Sequence, residues 1–147
     1  MMQMLKELLK KEHIIIKDSV EDWKEAVKIS TGPLEKSGIV PEDYKDKIIK
    51  SAEELGPYFF IAPNVALPHV QYFDKTDVGI SLLKLNNKVY YDDEHYAGLF
   101  FTFSGKDGTS HIGLIQELAL FLSDEKNVNA LMNMNSVDEI YDYITTA

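Results

Sequence analysis

The sequence places Ala66-Leu67-Pro68-His69 at the end of a short apolar segment. Proline holds φ at about −65° and turns the residue before it away from the α region, so Leu67 is expected to be extended and His69 to leave the segment on stiff backbone. A neutral imidazole is abundant at neutral pH and nucleophilic, and one ring nitrogen can donate a hydrogen bond while the other attacks. His69 is therefore the first candidate for chemistry, and that chemistry would be nucleophilic group transfer. The plain alternative is an ordinary structural histidine, and the Pro-His pair alone does not separate the two.

A second histidine, His111, follows Thr109-Ser110 at an expected helix start, where a ring and the free N–H groups of the first turn could face an anion. Helix capping by Thr109 and Ser110 explains the same residues without any ligand. The chain contains no cysteine, which excludes a thiolate nucleophile within it, and no Gly-x-Ser-x-Gly elbow of a serine hydrolase. His13, His69, His95 and His111 show no i, i+4 pairing, so no metal is expected. His13, at a Lys-Lys-Glu helix end, and His95, in an acidic loop, are expected to be solvated.

Glu54 with Ile61-Ala62, followed by Val65-Ala66-Leu67-Pro68-His69, resembles the signature around the phosphorylated histidine of bacterial phosphotransferase-system enzyme IIA domains of the mannitol/fructose type. Leu55-Gly56-Pro57-Tyr58, Gly79-Ile80-Ser81-Leu82 and Ser110-His111 extend the likeness over essentially the whole chain, closest to the ascorbate-like branch. The resemblance implies a layered α/β fold and a histidine that takes a phosphoryl group from the histidine-containing phosphocarrier protein and passes it to a sugar-specific IIB component. It implies a second histidine, His111, beside the phosphorylated one, and no bound cofactor. Two residues depart from the pattern: Val70 stands where the family has a small residue, and Gln71 where ascorbate-like members have arginine. All 15 basic residues other than histidine are lysines, so a phosphate clamp must use Lys, backbone N–H groups or histidine. Lys50, one turn before Glu54, is the nearest cation to the motif and could stand in for the missing arginine, although a lysine in such a run is usually just part of a solvated helix face. Glu54 either orients the site or is merely solvated. The rival functional reading is a regulatory or binding module on the same fold, in which Val70 and Gln71 have impaired transfer.

At 147 residues and 45% hydrophobic content the chain is long and apolar enough for one domain over residues 1–147 with a core of its own. No apolar stretch reaches the roughly 18 residues that span a bilayer. The start, MMQMLKELLKKEH, lacks the apolar core and cleavage site of a secretory signal, so a cytoplasmic location is expected. A net charge of −9 argues against nucleic acid and anionic membranes and favours protein partners with basic faces; a homodimer is compatible with it.

The elements that must position these residues follow from periodicity. Met4, Leu5, Leu8 and Leu9 mark a short amphipathic helix, and Ile14-Ile15-Ile16 an extended segment. Ser19 is expected to cap a helix with Val20, Trp23, Val27, Ser30 and Leu34 inward, closed by Gly38. Pro41 is expected to open the next, with Tyr44, Ile48, Ala52 and Leu55 inward and Gly56-Pro57 as its stop. Gln71 to Asp77 reads as a loop, Val78 to Leu85 as a strand ended by Asn86-Asn87, and Tyr96 to Phe103 as a central strand covered on both faces. A helix from Thr109 with Ile112, Ile115, Leu118, Ala119 and Leu122 buried, a short one after Asp124 and a last one capped at Ser136 complete the chain. This order predicts an α/β sandwich, a mixed sheet of about four to six strands with helices on both faces.

Overall fold

The computed structural model describes residues 3–147. Five strands, β1 (Ile14–Lys17), β2 (Phe60–Ala62), β3 (Asn64–Ala66), β4 (Gly79–Tyr90) and β5 (Tyr96–Ser104), form one sheet in the order β1-β4-β5-β3-β2. It is mixed: β1 runs parallel to β4 and β3 parallel to β5, while β4 and β5, and β2 and β3, are antiparallel. The most apolar run, Tyr96 to Phe103, lies at the centre of the sheet, as a strand buried on both faces must.

Alternation along the strands divides the interior into two cores. Leu82, Leu99, Phe101 and Phe103 face α1 (Gln3–Leu8), α4 (Gly108–Leu122), α5 (Glu125–Met132) and α6 (Val137–Thr145). Leu83, Leu85 and Phe100 face α2 (Trp23–Lys36) and α3 (Tyr44–Leu55). The expected sandwich, with helices on both faces, is the fold observed.

Several local expectations are corrected. The cap of α2 is Asp22, not Ser19: its carboxylate accepts the Glu25 N–H at 2.8 Å. Helix α3 begins at Tyr44, because Pro41 to Asp43 form a turn in which the Tyr44 N–H bonds the Pro41 carbonyl. Leu55, at the end of that helix, is 75% exposed. Asn86-Asn87 do not end β4, which runs on to Tyr90 through a register irregularity; both asparagines are tied to Asp18 instead. His13 is buried, with ring contacts to the Ile80 carbonyl at 3.2 Å and the Ser37 hydroxyl at 3.0 Å, so it cross-links β4 to the end of α2 rather than meeting solvent. His95 does lie at the surface, paired with Asp92. The inward face of α4 carries His111, Leu114, Leu118, Phe121 and Leu122, leaving Ile112 and Ala119 outside. A helix so apolar on most sides offers periodicity little with which to choose its buried stripe.

Candidate functional site

Because β3 and β5 are parallel, their C-terminal ends emerge at the same edge of the sheet. His69 follows β3 by three residues, and the loop into α4 follows β5, so topology alone brings the two segments together. The Phe103 N–H donates to the Pro68 carbonyl at 3.2 Å and extends the pairing to the residue before His69. The Leu67 N–H donates to the Phe59 carbonyl at 2.8 Å from the other side. Ala66, Leu67 and Pro68 are buried, whereas His69 is partly exposed.

The ring of His69 stacks on Phe103, with centroids 4.7 Å apart and planes at 26°. The ring of Tyr58 stands edge-on to it at 5.6 Å, and that of His111 lies 5.3 Å away. The two histidines proposed to act together are thus neighbours. His69 Nδ1 lies 2.5 Å from the Leu67 carbonyl oxygen. A carbonyl only accepts, so Nδ1 carries the proton and Nε2 presents its lone pair.

His111 occupies the first turn of α4, packed against Phe103 at 5.3 Å and Phe73 at 5.5 Å, and is 3% exposed. Its Nδ1 is buried without a hydrogen-bond partner among the described residues. Gly105 makes this placement possible: a Cβ there would lie 2.9 Å from the His111 backbone nitrogen and Cβ. Burial pushes the imidazole of His69 below its ordinary 6.5; the bond to Leu67 opposes that shift and the neighbouring His111 adds to it. Burial lowers His111 likewise. Both rings are therefore held toward the neutral form, which is the nucleophilic one.

The supporting candidates fare differently. Ser110 is committed to a capping box: its N–H bonds the Asp107 carboxylate at 2.8 Å, and its hydroxyl receives the Lys106 and Asp107 N–H groups. Thr109 is exposed in the same turn. Glu54 and Lys50 are exposed on α3, and neither takes part in the hydrogen bonds around His69. Sequence reasoning passed over Tyr44, Tyr58, Phe73 and Phe103. The Tyr58 hydroxyl donates to the His69 carbonyl at 2.5 Å, and the Tyr44 hydroxyl donates to the Phe103 carbonyl at 2.6 Å while meeting the Val70 N–H at 3.4 Å. Spacing marks Tyr44 only as a core position of its helix, and no pattern marks such long-range contacts. No group of three or more metal-ligating side chains occurs among the described residues, and no described helix is long and apolar enough to cross a membrane.

An α/β sandwich that sets one partly exposed histidine against a second at a helix start defines a class of fold and site, and the comparisons place the chain within it. The chain belongs to the family of the phosphoenolpyruvate-dependent sugar phosphotransferase system, EIIA 2, whose model matches residues 7–147. The ascorbate-specific EIIA component of Escherichia coli K12 is 30% identical, the match covering 97% of this chain and 96% of that protein. The mannitol-specific cryptic enzyme IIA component of the same strain is 33% identical over 86% of this chain and 88% of its own length. The solution structure of that mannitol-specific cryptic enzyme IIA superposes with a TM-score of 0.89 at 30% identity, covering 97% of this chain and 99% of the other. A likeness of fold extends to the enzyme IIA of an Escherichia coli complex of IIA and phosphorylated IIB for mannitol, with a TM-score of 0.81 at 22% identity, covering 95% and 98% of the two chains.

Proposed function

We propose that residues 1–147 act as one enzyme IIA domain that carries a phosphoryl group on His69 Nε2, receiving it from the histidine-containing phosphocarrier protein and passing it to a sugar-specific IIB component. The observation that carries this reading is the bond from His69 Nδ1 to the Leu67 carbonyl, which leaves Nε2 as the unprotonated nitrogen on a ring that reaches solvent. In the forward step the Nε2 lone pair attacks phosphorus in line, a new N–P bond forms, and the donor's N–P bond breaks with its electron pair returning to the donor imidazole. Such a transition state spreads charge over the phosphoryl oxygens, so positioning and preorganised donors suffice without a cofactor.

His111, whose ring centroid lies 5.3 Å from that of His69, is assigned as such a donor. A buried ring with an unpartnered nitrogen retains hydrogen-bonding capacity that a phosphoryl oxygen can use. Thr109 adds an exposed hydroxyl two residues earlier, while Ser110 contributes by holding the helix start in place. Glu54 and Lys50 lie on the exposed rim of α3, where a lysine can offset phosphoryl charge in a chain without arginine.

The relatives' names support ascorbate as the first sugar to test and mannitol as the second. Support for a IIB acceptor comes from the mannitol complex named above, which pairs the same fold with phosphorylated IIB. The test is transfer: the phosphorylated chain, mixed separately with ascorbate-type and mannitol-type IIB, should lose its label to the ascorbate-type protein faster. Transfer to neither would leave the carrier role without an acceptor and overturn the proposal.

A further inference from the structure

The peptide unit that joins His69 to Val70 is held from both ends by tyrosine hydroxyls. Its carbonyl oxygen accepts from Tyr58 at 2.5 Å, and its N–H points to the hydroxyl oxygen of Tyr44 at 3.4 Å. The two tyrosines come from different elements, Tyr58 from the segment before β2 and Tyr44 from the first position of α3. The Tyr44 hydroxyl has one proton and lies 2.6 Å from the Phe103 carbonyl and 3.2 Å from the Val70 carbonyl; the shorter contact takes the proton, and toward the Val70 N–H the oxygen acts as an acceptor. One buried phenol therefore ties the residue after His69 to the backbone of the residue whose ring stacks on His69.

We propose that Tyr58 and Tyr44 are positioning residues for His69: together they fix the plane of its following peptide and with it the direction in which Nε2 points. This inference rests on the assignment of His69 as the phosphoryl carrier. Fixing the 69–70 peptide fixes ψ of His69, and with the Pro68 carbonyl bound to Phe103 both flanking peptides are immobile. The short contact from Nδ1 back to the Leu67 carbonyl closes only while that backbone geometry holds, so the tyrosines also select the tautomer. The edge-on Tyr58 ring acts on the same imidazole directly.

The test is a double-mutant cycle of Tyr58→Phe and Tyr44→Phe in the full chain, with phosphorylation kinetics and the imidazole ¹⁵N shifts of His69 as readouts. Tyr58 is 37% exposed, so Tyr58→Phe should fold normally. It should slow phosphorylation about tenfold, a fraction of what an ångström of misplacement costs, and should mix the two His69 tautomers. Tyr44→Phe should do the same with some loss of stability, and the double variant should lose less than the product of the single effects, because both hydroxyls restrain one peptide. If the wild-type chain is phosphorylated and Tyr58→Phe matches it in rate and tautomer, the positioning inference is overturned while the carrier assignment stands. If the wild-type chain is not phosphorylated, the carrier assignment fails, and a tautomer shift in Tyr58→Phe would still report the positioning.

Discussion

His69 Nδ1 meets the carbonyl oxygen of Leu67, only two residues back, at 2.5 Å. The proline between them makes so tight a return possible: its ring fixes one torsion of the loop and keeps Leu67 extended, so the carbonyl points back at the imidazole. One local contact thus selects both the protonated nitrogen and the nucleophilic one. The modification should accordingly be a phosphoramidate at Nε2, which ¹⁵N–³¹P correlation of the phosphorylated chain reads directly. Substitution at Nδ1 would contradict the assignment.

Pro68→Ala should leave the fold largely intact, because the Phe103 N–H to Pro68 carbonyl bond survives, yet it should slow phosphorylation by loosening the Leu67–His69 return. Stopped-flow transfer rates beside a thermal melt separate the two effects. An unchanged rate would assign the proline a structural role only.

How much of this was legible beforehand depends on the range of the interaction. The Pro-His exit, the two-faced strand opening at Tyr96 and the cap at Ser136 are written in neighbouring residues, and each appears where spacing placed it. The burial of His13 is not legible in its neighbours because its partners, Ser37 and Ile80, lie 24 and 67 positions away. Tyr44 and Tyr58 escaped for the same reason: their hydroxyls act on residues 59 and 11 positions distant, and pattern shows a tyrosine's face but not its oxygen's target. The face of α4 was misread at Ile112 and Ala119 because His111, a polar residue, belongs to the buried stripe.

Gly105→Ala should test the contact between the β5–α4 loop and His111. The added methyl would sit 2.9 Å from the His111 backbone nitrogen and Cβ, closer than van der Waals contact, so the helix start, and His111 with it, must shift. Overpacking of this kind costs about 1–3 kcal/mol. A lowered denaturation midpoint should accompany slower phosphorylation; a variant as stable and as fast as wild type would show that the loop yields without moving His111.

The depressed basicity of both histidines has a signed consequence for stability. Their folded-state values lie below the ordinary 6.5 of the unfolded chain, chiefly through burial, so the unfolded state binds more protons once the pH falls through that value. Stability should be greatest above it and decline as the pH is lowered through it, before the carboxylates titrate at about 4. Urea midpoints of wild type and His69→Ala, nearly equal above this window, should diverge as the pH falls through it, because only the wild type carries the ring whose protonation favours unfolding. A constant gap between them would contradict the assigned burial effect.

The most direct test of the central claim is phosphorylation of the chain by phosphoenolpyruvate, enzyme I and the phosphocarrier protein, followed by intact mass. The account predicts one acid-labile phosphoryl group on the wild-type chain and none on His69→Ala, with thermal unfolding of that variant nearly unchanged because a partly exposed ring contributes little to the core. His111→Ala should accept the group but pass it on more slowly, by roughly 10²-fold if its donor resembles an oxyanion-hole group. Label retained on His69→Ala, or a wild-type chain left unmodified while a control IIA domain is labelled, would contradict the account, and the second result would favour the regulatory reading.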